Sequence, residues 1–419
     1  MFKKSLLTFI SEILIVFIGI GTTIIINRGL GPINKGYYAF IILVSSTLSM
    51  VLEFGFSTGL SFYSGKKISI SKDKWKSFSI LLTFIFLVLS TISTFILLLF
   101  YNDQRGYFII PMLFFVQISS KFTLGIYLGT LKIKLFNIIR TLPIFIEITL
   151  LIAFVIMNVT LTPLNISLVY FLSFFIPLIL SIYFLFPFKF QLPSFKELVS
   201  ITKYSFYIYI ANLMSFLNYR IDMFLISFFL KPEYLGWYSV AVFIIEKTRL
   251  LSQSTSLVNF ALKVNQEVKD TFEFSMRVVN SINILVSFMV VLLAYPLVML
   301  LYSPAYKESI LPMIILAPAI LANGYAKMLS SELSGDGIIK IQLFASILSV
   351  FLNVLLNIVL IPKFKIVGAS FASFFSYTFN TIIILLFFLK HYKKSFKRMI
   401  IVDKNDIIKI TQYFKKNFL

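Results

Sequence analysis

Long apolar segments run through almost the whole of this 419-residue chain. Residues 80–100, for example, are aliphatic or aromatic apart from serine and threonine. A helix needs about 20 such residues to cross the hydrocarbon core of a bilayer. Hydrophobic residues make up 59% of the chain and charged residues 13%, whereas a soluble domain is about half apolar and a quarter charged. The sequence therefore predicts an all-α polytopic membrane protein and excludes a soluble enzyme, a disordered chain and a disulfide-bonded secreted scaffold.

Twelve segments have the length and composition of transmembrane helices. They lie at about residues 6–26, 37–63, 77–100, 107–131, 141–161, 166–187, 204–230, 237–262, 278–303, 309–333, 342–361 and 367–389. Prolines inside three of them predict kinks, because proline removes a helical hydrogen bond. These prolines are Pro177, Pro296, Pro312 and Pro318.

Lysine and arginine are concentrated in alternate connectors between these segments. The side that includes both termini carries 26 of them and the opposite side carries 7. Because cytoplasmic loops are enriched in Lys and Arg, both termini are predicted to be cytoplasmic. The longest internal connector, 188–203, divides the chain into an N-terminal six-helix lobe at 1–187 and a C-terminal six-helix lobe at 204–389.

The remaining segment, 390–419, is a basic amphipathic tail on the cytoplasmic side. Isoleucine and phenylalanine alternate with lysines there, which is typical of a helix lying on anionic membrane lipids. A solvated basic tail fits the same composition, and both interpretations are open.

A short repeat indicates that the two halves are related. Gly36-Tyr37-Tyr38 and Gly236-Trp237-Tyr238 are 200 residues apart, and each begins the second helix of a half. Two halves of six spans share one orientation, which predicts a pseudo-symmetry axis along the membrane normal.

Ten charged side chains inside the predicted spans are candidates for function, because a charge in a bilayer is costly and usually faces a cavity or a partner. They are Glu12, Glu53, Lys121, Glu147, Arg220, Asp222, Glu246, Lys247, Arg249 and Lys327. At 1.5 Å per residue, Arg220 and Asp222 lie about 12 to 15 Å from the outer end of the seventh span. Glu246 and Arg249 lie about 13 to 18 Å from the outer end of the eighth. These two spans form a hairpin, so the four groups are predicted to meet in one polar cluster.

Two interpretations of this cluster are open. Asp222, Glu246 and Lys247 fit a structural network of ion pairs between helices. Arg220 and Arg249 fit the lining of a cationic cavity that binds an anion.

Four further charged residues extend the candidate site. Lys121 and Lys327 would add to a cationic cavity, although Lys327 lies close enough to the inner edge for its ammonium group to reach the interface. Glu53, deeper in the second span, is the candidate for coupling to a proton or a sodium ion. Arg28 in the first outer loop fits either a simple turn or a contact with phosphate.

Several kinds of chemistry are excluded by what the sequence lacks. It contains no cysteine, and His391 is its single histidine, so disulfides, thiol catalysis and histidine-based metal sites are excluded. The Gly-x4-Gly-Lys-Ser/Thr phosphate loop is missing as well. We therefore expect no catalytic residue, no metal, no cofactor and no enzymatic activity. Membrane topology explains the net charge of +21 better than nucleic-acid binding does.

Five stretches occur in an order and spacing that cover nearly the whole chain. They are RGLGPINKGYYA at 28–39, EFGF at 53–56, YRIDMF at 219–224, LGWYSVA at 235–241 and VGAS at 367–370. This set resembles the polysaccharide-exporter branch, and in particular the O-antigen (Wzx-type) flippases, of the multidrug/oligosaccharidyl-lipid/polysaccharide (MOP) transporter superfamily.

The resemblance implies two six-helix lobes around a central cationic cavity, and alternating access driven by an ion gradient or the membrane potential. It implies movement of undecaprenyl-pyrophosphate-linked oligosaccharide from the inner to the outer leaflet, with phosphate-binding roles for Arg28, Arg220 and Arg249. The expected location is the bacterial cytoplasmic (inner) membrane. The expected partners are the lipid-linked oligosaccharide, H⁺ or Na⁺, anionic lipids at the tail and the polysaccharide polymerase machinery.

Two other functions stay open. A drug or cation exporter of the same superfamily would need an acidic cavity, whereas the excess charge in these spans is basic. A membrane-bound polysaccharide polymerase or ligase would need an outer catalytic surface, and the predicted outer loops are short.

Overall fold

In the computed structural model, the described residues are 2–65, 72–100, 105–249, 252–253, 255–256, 271–338, 340–393, 395–403 and 406. Their regular secondary structure is helical. Seven of the described helices are long and apolar enough to cross a membrane, or eight if the bent pair Pro304–Leu316 and Ala319–Gly335 forms one span. The predicted all-α, multi-pass membrane fold is confirmed. The count of twelve crossings and the side on which the termini lie stay predictions.

The chain divides into two compact units. The N-terminal unit comprises Met1–Phe216 and Leu230–Trp237, and the C-terminal unit comprises Leu217–Phe229 and Tyr238–Leu419. The predicted lobes at 1–187 and 204–389, with the linker between them, stay a prediction.

Among the α-helices whose bounds lie in the described residues, six belong wholly to the N-terminal unit, two contribute to both units, and four belong to the C-terminal unit. The first six are α1 (Phe2–Val51), α2 (Phe56–Gly65), α3 (Lys72–Phe100), α4 (Ile110–Gly129), α5 (Ile133–Ile156) and α6 (Pro163–Tyr183). The shared helices are α7 (Phe195–Phe229) and α8 (Pro232–Lys247). The last four are α9 (Thr271–Leu297), α10 (Ile310–Leu316), α11 (Ala319–Gly335) and α12 (Lys340–Tyr392).

Each unit has its own apolar core. In the N-terminal unit, Trp75 of α3 and Phe122 and Tyr127 of α4 are fully buried in one cluster. In the C-terminal unit, Met328 of α11 and Phe388 of α12 belong to a second cluster. Many large apolar side chains on the other helix faces are exposed, as expected where lipid replaces water as the solvent.

Helices α1 and α12 are each interrupted by one residue with a non-helical backbone. In α1 this residue is Gly31, with φ 66°, and Pro32 follows it. In α12 it is Lys365, with φ 54° and ψ −134°. Both breaks fall inside predicted outer connectors, 27–36 and 362–366, so each long helix consists of two straighter segments.

The second predicted span, 37–63, is not one helix, and that prediction is wrong. Helix α1 ends at Val51, a turn follows, and α2 starts at Phe56. The Tyr209 hydroxyl donates a 2.6 Å hydrogen bond to the carbonyl of Val51. A Cβ at Gly55, where φ is 73°, would lie 2.9 Å from Cβ of Tyr209. The turn therefore lets α7 approach the backbone closely, and it places Glu53 outside a regular helix.

The repeated glycines of the sequence, Gly36 and Gly236, lie against each other's segment within the N-terminal unit. A Cβ at Gly36 would lie 1.8 Å from the carbonyl oxygen of Pro232. A Cβ at Gly236 would lie 2.1 Å from the carbonyl oxygen of Pro32. Two backbones can approach this closely only where both residues lack a side chain. Close packing of the two segments therefore explains why glycine is repeated at these two positions.

We expect Gly36→Ala and Gly236→Ala each to destabilise the protein by about 1–3 kcal/mol, the usual effect of overpacking. Thermal unfolding of the purified protein in detergent measures this change. Gly19→Ala is the matched control, because a Cβ at Gly19 would meet nothing within 4 Å. If both variants unfold at the same temperature as Gly19→Ala, the two segments can move apart to admit the added methyl groups without loss of stability.

Part of the predicted basic tail packs against the C-terminal unit. Met399 is fully buried in its apolar core, and Nη2 of Arg277 donates a 2.8 Å hydrogen bond to Oδ1 of Asp406. Residues 404–405 and 407–419 lie outside the described residues. Binding of the tail to anionic lipids stays a prediction.

Candidate functional site

Helices α7 and α8 bring Arg220 and Glu246 together in the C-terminal unit. Nη1 of Arg220 lies 2.7 Å from Oε1 of Glu246, and Nη2 lies 3.2 Å from Oε2. This is the bidentate geometry that makes arginine–carboxylate pairs strong and directional. The partner of Arg220 in this cluster is therefore a carboxylate of the protein itself.

Arg249 has a different environment from Arg220. Its guanidinium carbon lies 4.0 Å from the ring centroid of Tyr219 and 5.7 Å from that of Tyr377. Both distances are within the range of cation–π attraction. Its Nε is buried and has no hydrogen-bond partner among the described residues. Arg249 is thus a cation held by aromatic faces, and its Nε–H is a donor that no described residue uses.

Asp222 lies in the same unit but contacts neutral groups. Its Oδ2 accepts hydrogen bonds of 2.5 Å from the Tyr238 hydroxyl and 2.9 Å from the Ser373 hydroxyl. Its Oδ1 accepts a 2.7 Å bond from the backbone N–H of Met223. The carboxylate is 1% exposed. Within the described residues it forms no direct ion pair, so a network of salt bridges does not describe it.

A ladder of buried asparagines continues from α7 along α12. Nδ2 of Asn353 donates to Oδ1 of Asn218 at 3.1 Å, and Nδ2 of Asn357 donates to Oδ1 of Asn353 at 2.6 Å. These asparagines were not among the candidate residues predicted from the sequence. The spacing of four between Asn353 and Asn357 was the available signal, since it places two amides on one face of an apolar helix.

In the N-terminal unit, Lys121 pairs with Glu53 at 3.0 Å. Nζ of Lys121 also donates to the carbonyl of Ser49 at 3.4 Å, and the Ser57 hydroxyl donates to Glu53. Glu53 is therefore not a lone carboxylate. A role of this pair in ion coupling, or of Lys121 in binding, stays a prediction.

Three other predicted site residues are Arg28, Lys247 and Lys327. Arg28 is exposed, three residues before the break in α1 at Gly31. Nζ of Lys247 lies 4.9 Å from the ring centroid of Phe243. Lys327 is exposed on α11. Arg28 belongs to the N-terminal unit, and the two lysines belong to the C-terminal unit.

The charges on this helical hairpin do not balance. The helical hairpin carries three basic residues near two acidic ones, and one acid is occupied by Arg220. No three His, Asp or Glu side chains within the described part of the chain are grouped so that they could hold a metal ion.

Comparison with known proteins gives the same general picture. Residues 1–252 match the family described as polysaccharide biosynthesis protein. A segment of 212 residues is 26% identical to the probable low-salt glycan biosynthesis flippase Agl15 of Haloferax volcanii. That alignment covers 49% of this chain and 44% of the archaeal protein, so the chain matches less than half of that relative's length.

Solved structures share the fold at low sequence identity. An inward-facing multidrug resistance MATE family transporter of the MOP superfamily superposes with a TM-score of 0.72 at 13% identity, covering 93% of this chain and 98% of that one. The lipid II flippase MurJ in an inward closed conformation gives a TM-score of 0.70 at 17% identity, covering 100% and 94%. At this identity the match concerns the fold alone.

Proposed function

The chain belongs to the polysaccharide biosynthesis protein family, and from this premise we propose that it is a flippase for lipid-linked oligosaccharides. Its substrate would be an undecaprenyl-pyrophosphate-linked repeat unit, moved from the inner to the outer leaflet of a bacterial cytoplasmic membrane. The names of two similar proteins, a probable glycan biosynthesis flippase and a lipid II flippase, support this assignment.

The observation that carries the proposal is the guanidinium of Arg249, which lies on the Tyr219 ring and whose Nε–H has no hydrogen-bond partner among the described residues. A pyrophosphate is multiply anionic, and moving it through hydrocarbon without partners is prohibitive. A guanidinium held on the Tyr219 ring with its donors available would give the phosphate oxygens charge-assisted hydrogen bonds. The lipid tail can stay in the bilayer while the headgroup passes through the protein.

Asp222 is the proposed site of ion coupling. The hydrogen-bond partners of this buried carboxylate are all neutral, so a bound proton or sodium ion would compensate a charge that is costly to bury. Binding of that ion from one side of the membrane and its release to the other, down the ion gradient, would supply the energy for alternating access without ATP. Glu53, which is already paired with Lys121, is the second candidate.

A drug or cation exporter with the same fold is the alternative function. Glu246 is the acidic group that such a substrate would use, but Arg220 occupies both of its oxygens. Arg249, by contrast, forms no ion pair with a carboxylate among the described residues. This balance favours an anionic substrate.

Deletion of the gene tests the proposal directly. Complete single repeat units should accumulate on undecaprenyl pyrophosphate and stay on the cytoplasmic side, out of reach of an external enzyme that cannot cross the membrane. Single units already exposed outside, unpolymerised or unattached, would contradict the flippase assignment. That result would favour a polymerase or ligase.

A further inference from the structure

Helix α11 carries a polar face close to Arg249. Asn323 and Lys327 are four residues apart and therefore lie on one side of the helix. Asn323 is 8% exposed, and its Nδ2 is buried without a hydrogen-bond partner among the described residues. No carboxylate of the described chain lies within ion-pair distance of Lys327. Both groups thus have hydrogen-bond donors that the protein itself leaves unused.

Tyr219 connects this face to Arg249. Its ring lies under the guanidinium at 4.0 Å, and its hydroxyl donates a 3.4 Å hydrogen bond to Oδ1 of Asn323. Because Oδ1 of Asn323 accepts that bond, the N–H groups of its Nδ2 are the donors that have no partner among the described residues. One tyrosine therefore contacts both the cation and the unpartnered amide.

We propose that Asn323 and Lys327 form a second phosphate-binding station, which receives the pyrophosphate end of the lipid-linked substrate before Arg249 does. This inference rests on the proposed function and adds an order of events to it. Lys327 lies six residues, about 9 Å along the helix, from residue 333, the predicted cytoplasmic end of the tenth span. Asn323 lies one turn further in, next to Tyr219.

The two cations suit different steps. Lysine is a compact, hydrated charge on a flexible stem, which suits capture of an anion in several poses. Arginine has a planar, rigid set of donors that holds a phosphate in one pose. A charge at the edge of a site mainly changes the association rate, whereas a desolvated partner mainly changes the dissociation rate. The two stations therefore have separate kinetic signatures.

The experiment measures binding of farnesyl pyrophosphate to the purified full-length protein in nanodiscs by surface plasmon resonance. Farnesol is the uncharged control ligand, and inorganic pyrophosphate is the control without a lipid tail. The variants are Lys327→Gln, Asn323→Leu, Asn323→Asp and Arg249→Gln. Lys340→Gln is the matched control, because it removes one exposed lysine just beyond α11.

We expect Lys327→Gln to lower the association rate about tenfold, within the range of electrostatic steering, and to leave the dissociation rate nearly unchanged. Asn323→Leu should weaken binding, and Asn323→Asp should weaken it further by repelling the phosphate. Arg249→Gln should instead raise the dissociation rate. Thermal midpoints close to that of the unmodified protein identify the variants that fold. If Lys327→Gln is the one α11 variant that folds, its association rate is sufficient to test the second station.

The remaining outcomes separate the two proposals. If Arg249→Gln loses binding while the α11 variants behave like Lys340→Gln, the second station is wrong and the proposed function stands. If the unmodified protein binds farnesyl pyrophosphate no better than farnesol, both are wrong. Equal binding of inorganic pyrophosphate would overturn the assignment of the station to a lipid-linked ligand.

Discussion

Replacing Arg249 with glutamine is expected to reduce export of lipid-linked sugar at least a hundredfold, with unchanged amounts of protein in the membrane. Hydrogen bonds to charged groups contribute about 1.5–3 kcal/mol each, and a bidentate phosphate contact loses two of them. Because Arg249 has no ion-pair partner among the described residues, its removal leaves no buried carboxylate unpaired. The fold should therefore tolerate a change that the transport step does not.

Three variants refine this test. Arg249→Lys keeps the charge but not the planar donors, so we expect partial export. Tyr219→Leu removes the ring under the guanidinium and should reduce export less than Arg249→Gln does. Lys231→Gln, which removes an exposed lysine just before α8, is the control for charge alone. The measurement is surface polysaccharide per cell, normalised to immunoblotted protein. Full export by Arg249→Gln would remove this residue from the substrate site.

The apolar pattern predicted the fold well because a bilayer leaves few alternatives. Backbone groups in hydrocarbon must be satisfied within the chain, so a run of twenty apolar residues becomes a helix. The breaks at Gly31 and Lys365 fell inside predicted connectors, since Gly and Pro interrupt the pattern there. The turn at residues 52–55 was missed because the apolar pattern continues through it and the residue that packs against it, Tyr209, is distant in sequence.

The sequence predicted which charged residues cluster at the candidate site, but not which of their side chains contact each other. Periodicity and depth placed Arg220 and Glu246 in one hairpin, and the structure brings them together. The sequence placed the four charged groups in one cluster, but it could not show that Glu246 pairs with Arg220 of α7. Choosing between two arginines depends on rotamers and on the exact crossing of two helices. The aromatic platform under Arg249 was missed because tyrosines in an apolar helix look like ordinary core residues.

The second large effect is expected at the Arg220–Glu246 pair. Its variants should lower the stability of the fold, whereas Arg249→Gln should lower export without changing stability. Removing one partner of a buried ion pair leaves an uncompensated charge and usually costs 3–5 kcal/mol. The two side chains are 26% and 24% exposed, so we expect about 3 kcal/mol for Arg220→Gln or Glu246→Gln. Either variant should lower both the unfolding temperature and the amount of protein in the membrane. Loss of export should follow loss of protein.

A double variant separates structure from substrate binding at this pair. Arg220→Met combined with Glu246→Gln removes both charges together, and such replacements are often neutral or stabilising. We expect the double variant to recover the unfolding temperature and most of the export, because Arg249 still supplies the cation. If stability returns while export stays absent, Arg220 binds substrate itself, and its contact with Glu246 is exchanged for phosphate during transport. If Arg220→Gln alone is as stable as the unmodified protein, the pair contributes nothing to the fold, and the observed geometry is one of several that the two side chains adopt.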